Sequence, residues 1–206
     1  MTIECYQILQ SQLISLCDIR LPNEPKGFAA VLVPLYFANN EWHVVLTLRA
    51  SHLRHHSGEV AFPGGMWEEG DASPMITALR ESHEEIALPH DEVELIGGLN
   101  ALNTRRLAGI RPIVGVIPDT SSLKANKDET ESIFTVPLSF FLEDQRLRTD
   151  IFMQQSQEQD PEYWVPAYQY KEYEIWGFTA SVIVQLLNRC FSANIQRSNN
   201  APEKIW

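Results

Sequence analysis

Residues Arg80-Glu81-Ser82-His83-Glu84-Glu85 place three carboxylates and a guanidinium within one short segment. On a helix, three- and four-residue steps return to one face, so Glu81, Glu84 and Glu85 fall within roughly a third of the circumference. Carboxylates held this close repel one another by about 0.2–0.5 kcal/mol per pair. A hard cation such as Mg²⁺ or Mn²⁺, which prefers oxygen ligands, removes that penalty. A cation so placed can neutralise phosphoryl oxygens and prepare a water for attack, which is what cleavage of a diphosphate requires. Arg80 can steady the set through a charge-assisted hydrogen bond, with Glu84 one turn away as its partner. An isolated Arg-Glu-x-x-Glu-Glu is also the pattern of a solvated helix face, so the surroundings decide.

The element carrying these residues is well marked. Ser73 is a helix-capping hydroxyl, Pro74 suits the first helical position and Pro89 supplies a stop, which predicts a helix from about Pro74 to Leu88. Ile76, Leu79 and Ile86 form an apolar stripe expected to pack in the core, leaving the glutamates on a wet face. Upstream, Phe62-Pro63-Gly64-Gly65 marks a tight backbone that can pass close to a ligand, followed by a loop with Glu68, Glu69 and Asp71. Phe28 to Phe37 and His43 to Leu48 read as a hairpin turned at Asn39-Asn40. Further strands are expected at Val93 to Leu99, Ile110 to Ile117, Ser132 to Val136 and Leu147 to Met153, with a short apolar turn after Val136-Pro137-Leu138. Ile8, Leu9, Leu13 and Ile14 predict an N-terminal helix within about 2–20, closed by Pro22 and Pro25. Val182, Ile183, Leu186 and Leu187 predict a packed helix over about 178–191. Residues 154–174 read as a long loop or weak hairpin, and the polar tail after Ser192 as frayed.

The 206 residues, 44% of them hydrophobic, suffice for one core, and one domain spanning 1–206 is expected. A net charge of −11 cannot gather a nucleic acid by long-range attraction, although a bound cation can reverse the field locally for a small anion. Cys5, Cys17 and Cys190 show neither zinc-site nor disulfide spacing and point to reduced thiols in a cytoplasmic protein. No secretory signal is evident, and no run of about 18 apolar residues suggests a membrane span. His52, His55 and His56 are too irregularly spaced for a zinc site and have no cysteine nearby. His83 reads as a spacer on the helix, and Tyr163, Trp164, Tyr168 and Tyr170 read as packing.

The segment Gly65-x5-Asp71-x8-Arg80-Glu81-x2-Glu84-Glu85-Ile86-Ala87-Leu88 resembles the Nudix box of the Nudix hydrolases, occupying 65–88. Three departures are visible: Asp71 where a glutamate is usual, one extra residue before Arg80, and Ala87 where a glycine often supplies a left-handed turn. A second segment, Leu46-Thr47-Leu48-Arg49-Ala50-x3-Arg54-x3-Gly58-x3-Phe62-Pro63-Gly64-Gly65, is similar to the signature of coenzyme A-hydrolysing members. The extra residue before Arg80, the run Glu129-Thr-Glu131-Ser-Ile-Phe134-x-Val136-Pro137-Leu138 and Ile175-Trp176-Gly177-x-Thr179-Ala180 look like the same subgroup.

That resemblance implies an α/β Nudix fold, a mixed β-sheet sandwiched between α-helices. It implies Glu81, Glu84 and Glu85 as ligands of Mg²⁺ or Mn²⁺, with Arg80 shaping the cluster and Arg49, Arg54 and the Gly64–Gly65 backbone contacting substrate. The proton acceptor is Glu84 or a residue of 128–131, Glu129 being a candidate catalytic or metal-linked group. The implied partner is a small nucleotide-like substrate; a homodimer is left open. The implied reaction cuts coenzyme A or an acyl derivative into adenosine 3',5'-bisphosphate and a 4'-phosphopantetheine product. Alternatives are a Nudix hydrolase acting on ADP-ribose, NADH or dinucleoside polyphosphates, and a domain that binds nucleotides without turnover, against which the retained glutamates argue.

Overall fold

A computed structural model describes residues 3–23, 26–102, 109–152 and 163–206. Strands β1 (Ala29–Ala38) and β2 (Glu41–Arg49) form the expected hairpin. Asn39 and Asn40 both take positive φ, 51° and 65°, which is the two-residue turn whose twist suits paired strands. The outer edge of β1 pairs in parallel with β6 (Ile110–Val116), and β6 pairs antiparallel with β5 (Glu94–Gly98). The outer edge of β2 pairs antiparallel with β7 (Thr130–Pro137). Near their Asn-Asn turn β1 and β2 bond to each other, but at the opposite end they separate. Into that fork run β3 (Val60–Ala61), bonded to β2, and β4 (Gly64–Met66), bonded to β1. One seven-stranded mixed sheet results.

Alternation along β1 splits its side chains between two cores. Phe28, Ala30 and Leu32 meet Val45, Ile113, Ala78 and Ile86, the last two on α2 (Pro74–Ile86). Val31, Val33 and Leu35 meet Val44, Leu46 and the apolar face of α4 (Gly177–Cys190). The sheet is therefore covered by helices on both sides, as expected. A second sheet, in the order β10 (Tyr173–Ile175), β9 (Tyr163–Tyr170), β8 (Arg148–Phe152) and β11 (Glu203–Ile205), packs with α4. No helix among the described residues is long and apolar enough to cross a membrane.

Several expectations need correction. The N-terminal helix α1 (Ile3–Gln12) ends well before Pro22, because Ile14 leaves it to exchange two 2.9 Å backbone hydrogen bonds with Gly98 at the sheet edge. The apolar turn after Pro137 is a short helix, α3 (Leu138–Leu142). The stretch 154–174, expected as a long loop or a weak hairpin, holds the β9–β10 hairpin from Tyr163, which runs on to Ile175; Met153 and residues 154–162 lie outside the described residues. The tail is not frayed: Ile195 is buried, its N–H and C=O bond the Asn188 side chain, and β11 runs parallel to β8. On α2, Ile76 is 45% exposed and Leu79 only half-buried, while Thr77, Ala78 and Ser82 face the sheet. The helix lies so near the strands that small side chains fill the gap.

Helix α2 ends at Ala87, in the left-handed conformation (φ 54°, ψ 27°), with its N–H bonded to the His83 carbonyl. A Cβ there costs about 1–2 kcal/mol, partly offset by the greater unfolded-chain entropy of glycine. Ala87→Gly should therefore stabilise the fold by about 1 kcal/mol, read as a higher denaturant midpoint at constant slope; a lower midpoint would contradict the strain.

Candidate active site

The fork between β1 and β2 gives the carboxylates of α2 their setting. Glu85 turns down onto the inserted segment, where its Oε2 accepts the Gly64 N–H at 3.1 Å and its Oε1 lies 3.3 Å from Nη1 of Arg49, the last residue of β2. Its side chain is 3% exposed. This corrects the expected wet face, since only Glu84, at 52%, stands in solvent. Glu81 is intermediate at 14%.

Glycine at 64 and 65 is required for two different reasons. Gly64 has φ +153°, and a Cβ on it would lie 2.5 Å from the Ala30 carbonyl oxygen and the Val31 Cα, neither of which can move freely. A Cβ on Gly65 would lie 2.5 Å from both carboxylate oxygens of Glu81. Gly65→Ala should displace that carboxylate and lower turnover at least tenfold while stability changes by less than about 1 kcal/mol, whereas Gly64→Ala should lose about 2–3 kcal/mol. Thermal melts paired with turnover assays separate the two, and equal melts would refute the distinction.

Arg80 collects the other acids. Its Nη1 donates to Glu81 Oε1 at 3.0 Å and Glu84 Oε2 at 3.2 Å, the latter being the expected partner. Its other edge donates to both oxygens of Asp71, at 3.3 and 3.1 Å, and to the Met66 carbonyl at 2.9 Å. Asp71 is 7% exposed and also accepts from the Thr77 hydroxyl and the Glu68 N–H. Burial alone would push its carboxyl up, but Arg80 and these other donors together hold it below the ordinary value. In the sequence Asp71 stands in the acidic loop before the helix and as a departure from the motif; its role as the anchor of Arg80 appears only in the structure.

Glu129 arrives by a different route. The carbonyls of Glu85 and Ile86, at the end of α2, accept from the N–H groups of Asn126 and Lys124 at 2.9 Å, so the 124–129 strap closes the helix. The Glu129 carbonyl in turn accepts from Ala50 N–H at 2.9 Å, beside Arg49. Burial raises the Glu81 carboxyl, with Glu84 and Glu129 adding to the effect against Arg80. Burial pushes Glu85 up to about 7, opposed by Gly64 N–H and Arg49 and reinforced by Glu81 and Glu129. Three acids are thus close enough to repel one another where one of them is almost out of water, which is the electrostatic condition a divalent cation relieves. Among the described residues no three histidine, cysteine or carboxylate groups stand ready to ligate one ion; Arg80 and Arg49 each hold a carboxylate oxygen of the cluster. The donor chemistry, carboxylate oxygens around a group almost out of water, fits a hard cation.

Of the remaining candidates, Arg49 stands at the cluster, with its Nε buried and without a partner. Arg54 is exposed on the 51–59 loop, away from the carboxylates' hydrogen bonds. His52 Nε2 lies 3.1 Å from the Asp128 carbonyl oxygen, and His56 meets Glu59 at 2.9 Å.

The sequence pattern of the NUDIX domain matches residues 26–183. The chain belongs to the Nudix family. A Nudix relative from Enterobacter sp. (strain 638), named Uncharacterized Nudix hydrolase NudL, is 41% identical over 159 residues, 77% of this chain and 80% of that protein. The protein of the same name from Photorhabdus laumondii is 37% identical over 183 residues, 85% of this chain and 95% of its own. A solved MutT/nudix family protein from Enterococcus faecalis superposes with a TM-score of 0.50 at 16% identity, covering 93% of this chain and 75% of that one, a likeness of fold alone. With the family match and the relatives in agreement, the chain is a Nudix hydrolase, a pyrophosphatase acting on phosphorus-containing anhydrides.

Proposed function

We propose that this Nudix hydrolase cleaves the diphosphate bond of coenzyme A or an acyl derivative, giving adenosine 3',5'-bisphosphate and (acyl-)4'-phosphopantetheine, with Mg²⁺ or Mn²⁺ as cofactor. The observation that carries the cation-dependent chemistry is the buried Glu85, raised to about 7 and flanked by Glu81 and Glu129. The coenzyme A specificity is supported by the signature from Leu46 to Gly65, whose Arg49 reaches this cluster.

Glu81 and Glu85 are the proposed ligands, with Glu84 joining when its bond to Arg80 opens. A bound divalent cation supplies charge neutralisation on the phosphoryl oxygens and acidifies the attacking water. Arg80 holds Glu81 and Glu84 in place from its anchor on Asp71. Arg49, with its unpartnered Nε, is placed to take a phosphate oxygen once Glu85 turns to a cation. For the proton of the water, Glu129 is the better acceptor, since it opposes Glu81 and Glu85 from the strap while Glu84 is engaged by Arg80.

Purified protein incubated with Mg²⁺ or Mn²⁺ and coenzyme A, acyl-coenzyme A, ADP-ribose or NADH, followed by chromatography, tests the reading. The two coenzyme A products should dominate, and a preference for ADP-ribose would overturn the specificity.

A further inference from the structure

A cavity of about 510 Å³ opens on the far side of β2 from the carboxylate cluster. Leu48, which helps line it, precedes Arg49, and successive side chains of a strand point to opposite faces. Leu48 and Val60 accordingly pack with the α4 core, while Arg49 reaches Glu85 on the α2 side. The two sites thus share one strand end, joined around it by the 50–59 loop and the start of β7, where Ser132 pairs with Leu48 and its hydroxyl stands 3.4 Å from that of Tyr173.

The lining combines apolar and aromatic walls, Leu48, Val60, Tyr173, Trp176 and Trp206, with charges that cancel. Arg148 is held by Asp150 at 2.8 Å and by Glu174 at 2.7 Å. Lys204 lies 3.5 Å over the Trp206 ring, and Glu172 completes the balance. Such a lining does not select a phosphate. It suits an uncharged group with both apolar and hydrogen-bonding parts.

Two of the walls come from the tail, beyond the 26–183 span of the family match. The tail is tied down by many bonds. Buried Arg146 donates to the Gln196 carbonyl at 2.9 Å, Asn199 donates to Asp144, Arg197 pairs with Glu203, and Trp206 N–H bonds the Ile151 carbonyl at 2.9 Å. Lys204 and Trp206 are thereby held at the cavity by fixed backbone.

We infer that this cavity receives the long uncharged arm of the substrate, the pantetheine side rather than the nucleotide side, and that Lys204 and Trp206 help set specificity for it. The inference rests on the coenzyme A reading above. A diphosphate at Glu85 leaves only a long, flexible substituent able to bend round the end of β2 and fill a pocket on the opposite face.

Trp206→Ala and Lys204→Ala, both at solvent-accessible positions, are compared with Ile205→Ala, which does not line the cavity. Trp206→Ala should raise KM for acyl-coenzyme A about tenfold with kcat nearly unchanged, affect ADP-ribose at least fivefold less, and leave Ile205→Ala silent. A second readout is independent of turnover: pantetheine, titrated at millimolar concentration, should shift the Trp176 and Trp206 indole N–H resonances in the intact protein. An unshifted pair of indoles, or equal KM changes for both substrates, overturns the inference. Shifts without coenzyme A hydrolysis would instead reject the proposed function and leave the pocket standing.

Discussion

Glu85→Gln should lower turnover by about 10²–10³ and, without metal, make the protein more heat-stable above pH 7. The two effects share a cause. Glu85 is 3% exposed, and its carboxyl is raised from 4.5 to about 7, chiefly by burial, so the folded state prefers it protonated. A raised carboxyl contributes stability that is fully present below pH 4.5 and lost as the pH climbs through about 7. Glutamine never ionises and escapes that loss, worth at most about 3 kcal/mol with the Gly64 and Arg49 contacts to the charged form already included. Melting curves of both proteins should therefore converge at low pH and separate at high pH. Adding Mn²⁺ should restore the wild type and leave the variant unmoved, because binding to the folded state alone raises the melting point. The same competition means that metal affinity in the wild type strengthens as pH rises through about 7, since the proton must leave first. Wild-type turnover in the variant, or an identical response to Mn²⁺, would remove Glu85 from the site.

The second large effect is expected at Asp71. This carboxylate is nearly buried and takes two bonds from Arg80, one from Thr77 and one from the Glu68 N–H. Removing one partner of such a pair leaves the other charge under-satisfied, a loss of about 3–5 kcal/mol when fully buried. Arg80 is 21% exposed, so about 3 kcal/mol is expected for Asp71→Ala. Turnover should fall with it, because Arg80 loses the anchor from which it holds Glu81 and Glu84. A double-mutant cycle with Arg80→Ala gives the direct test in denaturant: coupling of about 2 kcal/mol is expected, and additive losses would show that the two residues act independently.

Much of this architecture is written in local signals. Ser73, Pro74 and Pro89 delimit α2 to within a few residues because capping and proline geometry act on the backbone directly. Asn39-Asn40 turns the hairpin for the same kind of reason, and the three- and four-residue rhythm of Val182 to Leu187 locates α4. What sequence does not reveal is set by partners distant along the chain. The apolar stripe assigned to Ile76 and Leu79 fails because close approach to the sheet, not hydrophobicity, selects Ala78 and Ser82 for the buried side. Glu85 reads as a surface acid because nothing near it in sequence announces that residues 60–66 will cover it. The tail reads as frayed because its order depends on Arg146, Asn188 and strand β8.

The wedge that fills the fork also bears on how the protein comes to life. Glu85 meets Gly64 and Arg49 only when two diverging strands have been set at their final spacing, and the strap bearing Glu129 is made later still. Such non-local pairings form slowly compared with helices and hairpins. A chain emerging from the ribosome can hold α2 and the β1–β2 hairpin long before it holds a working centre. Appearance of activity during refolding should accordingly lag the recovery of helical signal, making catalysis a sensor of completed topology.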